Sequence, residues 1–346
     1  MANTRERRGS RHRRLLRATA WIAAVVVLLA GGGLALVYVK LNGNLSSIDI
    51  NRLLGKNRPA DIDNGSLDIL VLGSDSRAGR NRGYGSDDGT ARSDTAMVVH
   101  LARGRQRASV VSIPRDTLVD RPACERTGGR GGTAPPAKRT MFNQAYAIGG
   151  PICAVRTVEA MTGIRMDHFV EVDFTGFKRL VAALGGVTVP TREPIRDSKS
   201  HLVLAPGTHH LDGEQALGFV RTRSGTGDGS DLERIRLQQQ FLIALIRQVD
   251  ATDLLGNPAK LYKVADAATK ALTTDSELDS VKALSDLADS MRGITPESLR
   301  TVMLPVEYDR RDPNRVVPRE PQAEQVWAAL RADRPIPGSA IPAEPG

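Results

Sequence analysis

The sequence predicts an α/β domain: a central, mostly parallel or mixed sheet flanked by helices, preceded by one transmembrane helix. Three observations predict it. Strand-like apolar runs interleave with amphipathic helical patterns along most of the 346 residues. Three of those runs, all between Leu67 and Asp116, adjoin tight knots of Arg and Asp. One uninterrupted apolar stretch lies near the start.

That stretch runs from Ala18 to Val39, 22 residues without a charge. At a rise of about 1.5 Å per residue it spans roughly 33 Å, close to the ~30 Å hydrocarbon core of a bilayer. Trp21 and Tyr38 sit near its ends, where interfacial aromatic side chains belong. Residues 1–20 hold seven Arg and one Glu, and such a basic flank stays in the cytoplasm. The expected organisation is therefore a cytoplasmic tail (1–17), a membrane anchor (18–39), a stalk (40–66), an extracellular domain (67–335) and a disordered Pro-rich tail (336–346). A cleaved signal of twin-arginine type, around Arg13-Arg14-Leu15-Leu16, is the competing reading; the length of the apolar stretch and the lack of an Ala-x-Ala site favour the retained anchor. The tail also accounts for most of the formal charge of +9. Beyond it there are 41 basic and 38 acidic residues, a balance that calls for no nucleic-acid partner.

The domain opens with LDILVLGSDSR (67–77), ARSDTAMVVHL (91–101) and ASVVSIPRD (108–116). Near-continuous Val/Ile/Leu runs are the pattern of buried strands. Their ends carry Asp75 with Arg77, Arg92 with Asp94, and Arg115 with Asp116. Open α/β sheets bind ligands at strand ends. Guanidinium groups there suit a phosphate, and carboxylates suit a divalent cation beside it. A polar Gly-rich loop separates the first two runs. Cys124 and Cys153 both lie in the exported part, where one disulfide between them is expected and would close the loop containing RTGGRGGTAPPAKR. Two cysteines at this spacing make no zinc site.

Asn143–Met161 reads as a helix, HFVEVDF (168–174) as a strand, and Thr175–Leu184 as a short amphipathic helix stopped by Gly185-Gly186. VTVP (187–190) is a strand, followed by an irregular stretch. LDGEQALGFVRTR (211–223) is a short helix delivering Arg221 and Arg223. The helix Asp231–Val249 places Asp231, Arg234, Ile235, Gln238, Leu242, Leu245, Ile246 and Val249 on one face at 100° per residue. The apolar half of that face should enter the core. Its polar half then needs partners or a ligand, and a helix start favours an anion. Helices near 258–272 and 276–292, a strand at 298–305 and a helix at 320–331 complete the domain.

Other candidates carry less. His201, His209 and His210 lie in the irregular stretch without a ligand-spaced carboxylate pattern; His100 and His168 sit in strand-like runs as packing residues. GTGDG (225–229) lacks the Gly-Lys-Ser/Thr of a P-loop, and Ser74 and Ser76 lack a Gly-x-Ser-x-Gly elbow.

Taken in order, GSDSR, ARSDT, SIPRD, NQAYAIGGP, TVEAMTGI, DHFVEVDFTGF, LVAALGGV, LDGEQALGFVRTR and DLERIRLQQQ resemble the LytR-CpsA-Psr family of membrane-anchored glycopolymer transferases, with core motifs over 67–249. The resemblance implies a polyprenyl-pyrophosphate-linked glycopolymer as donor and peptidoglycan as acceptor, at the C6 hydroxyl of N-acetylmuramic acid, with a phosphodiester formed and polyprenyl monophosphate released. It implies that Asp75 and Asp94 hold Mg²⁺ (or Mn²⁺). It implies that Arg77, Arg92, Arg115, Arg221, Arg223, Arg234 and Gln238 surround the pyrophosphate, with Asp75, Asp94, Arg92 and Arg115 catalytic. The general base stays unassigned. Met141 stands where the family usually has Lys, and Lys138 or Arg139 is the candidate replacement. The expected location is the cell membrane, single-pass, with the catalytic domain on the extracellular face of a Gram-positive cell; abundant Ala, Arg and Gly fit an actinobacterium. Two other functions use the same features: a polyprenyl-pyrophosphate phosphatase with water as acceptor, and a membrane-bound transcriptional attenuator, which the short cytoplasmic tail disfavours. The oligomeric state is not legible.

Overall fold

The structure is a computed structural model describing residues 31–74, 93–127, 131–223, 231–254 and 256–341. The chain divides into two units, residues 1–44 and 45–346. In the first, residues 31–42 are helical (α1), with Leu34, Leu36 and Val39 exposed. No helix of the described residues is long and apolar enough to cross a membrane; residues 18–30 of the expected anchor lie outside them.

The second unit is built on seven strands: β1 (Ser46–Ile48), β2 (Leu67–Ser74), β3 (Ser93–Leu101), β4 (Ala108–Ile113), β9 (His168–Asp173), β14 (Leu272–Asp275) and β15 (Leu299–Met303). Their order is β1-β14-β9-β2-β3-β4-β15. The sheet is mixed: β1/β14, β9/β2 and β4/β15 pair parallel, while β14/β9, β2/β3 and β3/β4 pair antiparallel. Small paired strands decorate it: β5 (Leu118–Arg121) with β8 (Ala137–Met141), β6 (Cys124–Glu125) with β7 (Thr133–Ala134), β10 (Val187–Thr191) with β13 (Gly207–Leu211), β11 (Ile195–Asp197) with β12 (Leu202–Leu204), and β16 (Val306–Tyr308) with β17 (Val316–Pro318). The helices are α2 (Ile50–Leu54), α3 (Phe142–Thr162), α4 (Phe174–Leu184), α5 (Gly213–Arg221), α6 (Asp231–Asp250), α7 (Pro258–Ala271), α8 (Val281–Ser290) and α9 (Gln322–Arg331).

Successive strand side chains point to opposite faces, and β2 divides its residues accordingly. Leu70 and Leu72 join Phe169, Val98 and Val111 in the main core, with Phe142 and Val155 of α3 and Trp327 of α9. Ile69 and Val71 face a smaller cluster with Leu287 and Met291. Burial on both faces is why β2 and β4 read as continuous apolar runs. A third cluster joins α4, α5 and α6 to the two hairpins over 187–211, through Val181, Val187, Leu211, Phe219 and Phe241. Each of Leu70, Leu72, Val98 and Phe169 is fully enclosed, and such side chains contribute about 1.5–3 kcal/mol apiece.

Several expectations are corrected. The segment read as a stalk supplies β1 and α2, because Ile50 and Leu54 complete the main core and β1 pairs with β14. The tail read as disordered from 336 packs inward through Ile336 and Ala340. The irregular stretch after 190 is β11, β12 and β13. The helix expected without a break from Asn143 is interrupted at Gly149-Gly150-Pro151, where Gly150 has φ 61°. A Cβ on Gly149 would lie 2.5 Å from the Glu125 carbonyl and 2.8 Å from Cys153 Cβ. Only glycine permits the disulfide-bonded hairpin to press so closely. The bond itself joins Cys124 to Cys153 with Cα atoms 5.5 Å apart. The helix expected over 276–292 begins only at Val281, after Asp275 has capped a 3₁₀ turn. Finally, α6 is turned from its expected face: Leu237, Phe241 and Ala244 are buried, whereas Val249 is 40% exposed. The third cluster draws that side inward, while Arg234 and Gln238 remain buried with it.

Candidate active site

Asp94 stands at the start of β3, beside a shift in the β2/β3 register at Gly73 and Ser74. A Cβ on Gly73 would lie 3.0 Å from Thr95 Cβ, so the glycine lets the strands close at this irregular end. Arg115 follows β4 through Pro114. Its turn is held by Thr117 N–H donating to the Pro114 carbonyl (3.0 Å), and by Asn143 N–H, at the start of α3, donating to the Arg115 carbonyl (3.1 Å). Arg221 ends α5. Arg223 follows it, its backbone N–H donating to Asp197 Oδ2 at 2.7 Å. Asp231, Arg234 and Gln238 project from one side of α6 by helical spacing.

These elements converge on Asp94. Arg115 Nη1 donates to its Oδ1 at 2.6 Å, and Arg223 Nη2 and Arg234 Nη1 lie 3.5 and 3.8 Å from the same oxygen. Arg234 Nη2 donates to the Asp94 carbonyl (2.8 Å) and pairs with Asp231. Arg115 Nε faces Asp231 Oδ1 (3.4 Å) and Asp116 Oδ2 (3.5 Å). Gln238 Nε2 donates to Thr95 Oγ1 (2.9 Å) and the Val220 carbonyl (3.1 Å), tying α6 to β3 and α5. Arg221 Cζ lies 4.7 Å from the centroid of the Phe174 ring, a cation–π contact that holds the guanidinium over an apolar surface. A pocket of about 150 Å³ opens on this cluster, lined by Asp94, Arg221, Arg223, Arg234 and Gln238 together with Lys199.

The electrostatics divide the two buried carboxylates. Burial acts to raise the Asp94 pKa, but Arg234 and Arg115 outweigh it and hold the group below the usual carboxylate range. Asp231 goes the other way: burial pushes its carboxyl up despite Arg234 and Arg115. Burial also brings Arg234 down to about 10, against the attraction of Asp231; it stays charged at neutral pH. The Nε atoms of Arg115 and Arg234 are buried without a hydrogen bond. Arg115 Nε faces the Asp231 and Asp116 carboxylates, whereas Arg234 walls the pocket, and an arginine with donor capacity left over beside a pocket is the arrangement an anionic ligand satisfies.

Arg115, Arg221, Arg223, Arg234, Gln238 and Asp94 thus come together as expected. Asp75, Arg77 and Arg92 lie outside the described residues. Ser74, just before them, is 3.1 Å from the Tyr146 hydroxyl, which donates to Glu171 Oε1 at 2.7 Å. Arg139 does not take the place of the absent Lys near Met141: it pairs with Asp309 at 2.8 Å. Lys138 is exposed on its hairpin. His100 and His168 are not simple packing residues, since each binds carboxylate, Asp68 and Asp333 for the first and Asp275 for the second. Among the described residues no group of three or more His, Cys, Asp or Glu is placed to hold a metal. Thr95, Asp197, Lys199 and Ser200 were missed as pocket residues. The polar run Asp197-Ser198-Lys199-Ser200 between two apolar alternations carried the signal of an Asx turn, and Asp197 Oδ1 does accept from Lys199 N–H at 2.8 Å.

The model of the LytR_cpsA_psr family matches residues 37–332. The chain belongs to this family. Among similar proteins, LcpB of Corynebacterium glutamicum, named a probable cell wall biosynthesis protein, is 36% identical over 230 residues, 65% of this chain and 51% of LcpB. The chain thus matches about half the length of that relative. The polyisoprenyl-teichoic acid–peptidoglycan teichoic acid transferase TagT of Bacillus subtilis is 35% identical over 70% of this chain and 73% of its own length. The crystal structure of B. subtilis TagV superposes with a TM-score of 0.60 at 27% identity, over 79% of this chain and 98% of that one. TagT bound to LI-WTA does so at 0.59 and 26% identity, over 83% and 98%. The mixed sheet flanked by helices is therefore the architecture of this family.

Proposed function

We propose that this chain is a membrane-anchored phosphotransferase that moves a glycopolymer phosphate from a polyprenyl-pyrophosphate carrier to the C6 hydroxyl of N-acetylmuramic acid in peptidoglycan. The observation that carries the reading is the surplus of cations at one pocket: Lys199, Arg221, Arg223 and Arg234 line it against Asp94 and Asp197, with Arg115 bound to Asp94 behind it and a buried N–H of Arg234 left unmet. The relatives named as teichoic acid–peptidoglycan transferases supply the chemical class. Phosphoryl transfer asks a protein for position and charge more than for covalent participation. The acceptor oxygen forms a new bond to the glycan-bearing phosphorus, the bridging P–O bond breaks, and polyprenyl monophosphate leaves with the electron pair. The hydroxyl proton passes to a carboxylate at the site. Arg223 and Arg234 neutralise the charge that develops on the phosphoryl oxygens, and Arg115 spans the reacting centre.

Asp94 also suits a hard divalent cation. Among the described residues the arginine contacts of its side chain use Oδ1, and its lowered pKa keeps it ionised. With Asp75 it would hold Mg²⁺, which bound there would neutralise pyrophosphate charge. The exposed Leu34, Leu36 and Val39 on α1 support the anchor, and the disulfide supports an oxidising location outside the cell.

The test uses the full chain in detergent with a polyprenyl-pyrophosphoryl glycan, peptidoglycan oligomers and Mg²⁺. Muropeptide carrying a phosphodiester-linked glycan, lost on chelation and in Asp94→Ala, is the expected product. Released polyprenyl phosphate without glycan on the muropeptide would replace the transferase reading with hydrolysis.

A further inference from the structure

In-line displacement needs room on both sides of the reacting phosphorus, one for the leaving group and one for the attacking oxygen. The structure has two openings whose lining carboxylates pair with the same arginine. Arg115 reaches Asp94, in the wall of the arginine pocket, through Nη1 at 2.6 Å. Through Nε it faces Asp116 and Asp231 at 3.5 and 3.4 Å. Those two carboxylates line a separate groove of about 330 Å³, bounded further by Pro114, Tyr308, Asn314 and Arg315.

The groove differs in chemistry from the pocket. It has two carboxylates and one arginine, and Arg315 already faces Asp312 at 3.7 Å. That balance repels a second phosphate. Tyr308 is 55% exposed, a large aromatic surface in a groove whose walls also include Leu232, Pro313 and Val316 beside the polar side chains. An aromatic plane flanked by amide, guanidinium and carboxylate groups suits a neutral sugar, whose C–H face stacks on the ring while its hydroxyls find donors and acceptors. The β16–β17 hairpin carrying Tyr308 is fixed to the turn that carries Arg115: Val316 N–H donates to the Asp116 carbonyl at 3.4 Å, and Thr117 bridges Val316.

We propose that this groove is the acceptor subsite, where a peptidoglycan sugar stacks on Tyr308 and presents its hydroxyl beside Asp116 and Asp231. The proposal rests on the transferase reading and assigns its second substrate a place. Attack from the groove sends the hydroxyl proton to one of those carboxylates, while the leaving polyprenyl phosphate stays on the arginine side.

The experiment measures two things in the full chain: transfer kinetics against peptidoglycan oligomer, and direct binding of a labelled muropeptide and of the pyrophosphate donor. Tyr308→Ala should raise the acceptor KM about tenfold or more with kcat and donor affinity nearly unchanged, and Tyr308→Trp should restore the KM. An acceptor KM unaltered in Tyr308→Ala and in Asn314→Ala, in protein with native thermal stability, would overturn the groove while leaving the transferase intact. If the unmutated chain transfers nothing, the function falls. Muropeptide binding then decides the groove: weakening in Tyr308→Ala supports it, and equal binding removes it.

Discussion

Two clusters of buried charge in this molecule have opposite character. Arg58 and Glu159 close on each other: Arg58 Nε lies 3.0 and 3.2 Å from the two carboxylate oxygens, Nη2 donates to Glu159 Oε1 (2.6 Å) and to the Met166 carbonyl (2.7 Å), and Met166 N–H donates back to Oε1 (3.0 Å). One cation meets one anion. Around Asp94, among the described residues, five cations (Arg115, Arg221, Arg223, Arg234 and Lys199) outnumber the carboxylates of Asp94, Asp116, Asp197 and Asp231, and two guanidinium Nε atoms have no hydrogen bond. Burial alone therefore does not mark function. A cluster that neutralises and satisfies itself holds the fold, and one left cationic and partly unmet is set for a ligand.

The comparison breaks first at the largest effects. Arg115→Ala should lower kcat by about 10²–10³-fold, the scale of losing one group that stabilises transition-state charge, with a smaller loss of Tm than at the other cluster because Asp94 keeps Arg223 and Arg234, and Asp231 keeps Arg234. Glu159→Ala should do the reverse. It leaves Arg58 buried and unpaired, at a cost of about 3–5 kcal/mol, while activity per folded molecule persists. Kinetics and thermal melts on the two variants check this; a Glu159→Ala protein that melts normally but turns over poorly would dissolve the distinction.

The sequence distinguished these clusters only in part. Arg115, Arg223, Arg234 and Asp94 announced themselves because each stands beside an apolar run, where a charge needs a reason. Arg58 gave no such sign. It lies in a polar segment that reads as a stalk, and only its packing against Glu159, over a hundred residues away, brings it into the body. Long-range pairing defeats local reading in the same way at β14, a four-residue strand without a continuous apolar run. The strands β2 and β4 were legible because burial on both faces leaves no polar alternation to confuse them. The face of α6 was misassigned because Leu237 and Leu242 are equivalent in sequence; the position of Phe177 and Phe219 against Phe241 decides which turns inward.

A smaller effect sharpens the structural side. The Cys124–Cys153 bond, spanning 29 residues, should contribute about 3 kcal/mol by restricting the unfolded chain. It pins the hairpin over the break in α3, and neither cysteine lines the arginine pocket. Reduction followed by alkylation should lower Tm by several degrees while donor affinity stays constant. Loss of donor binding in reduced but folded protein would tie this bond to the site.

The smallest effect concerns His100, a satisfied cluster whose charge depends on pH. Its Nδ1 lies 2.9 Å from Asp68 and its Nε2 lies 3.1 Å from Asp333, which also pairs with Arg107 at 3.3 Å; Asp167 adjoins through the Asp68 backbone. Burial lowers the His100 pKa, but hydrogen bonding to Asp68 and Asp333 overcomes it and the net direction is up. Only the imidazolium donates from both nitrogens. A raised folded pKa means stability that is full below the unfolded value of about 6.5 and lost as pH climbs through the folded one. Tm should therefore fall as pH is raised above neutrality, and His100→Gln should remove that part of the decline. The difference between the two profiles separates His100 from His168, which Asp275 raises in the same direction. Because this cluster meets its own charge, the activity of folded molecules should not follow His100. Identical Tm profiles in the two proteins would show that the imidazole is neutral in the fold, and would place it among packing groups after all.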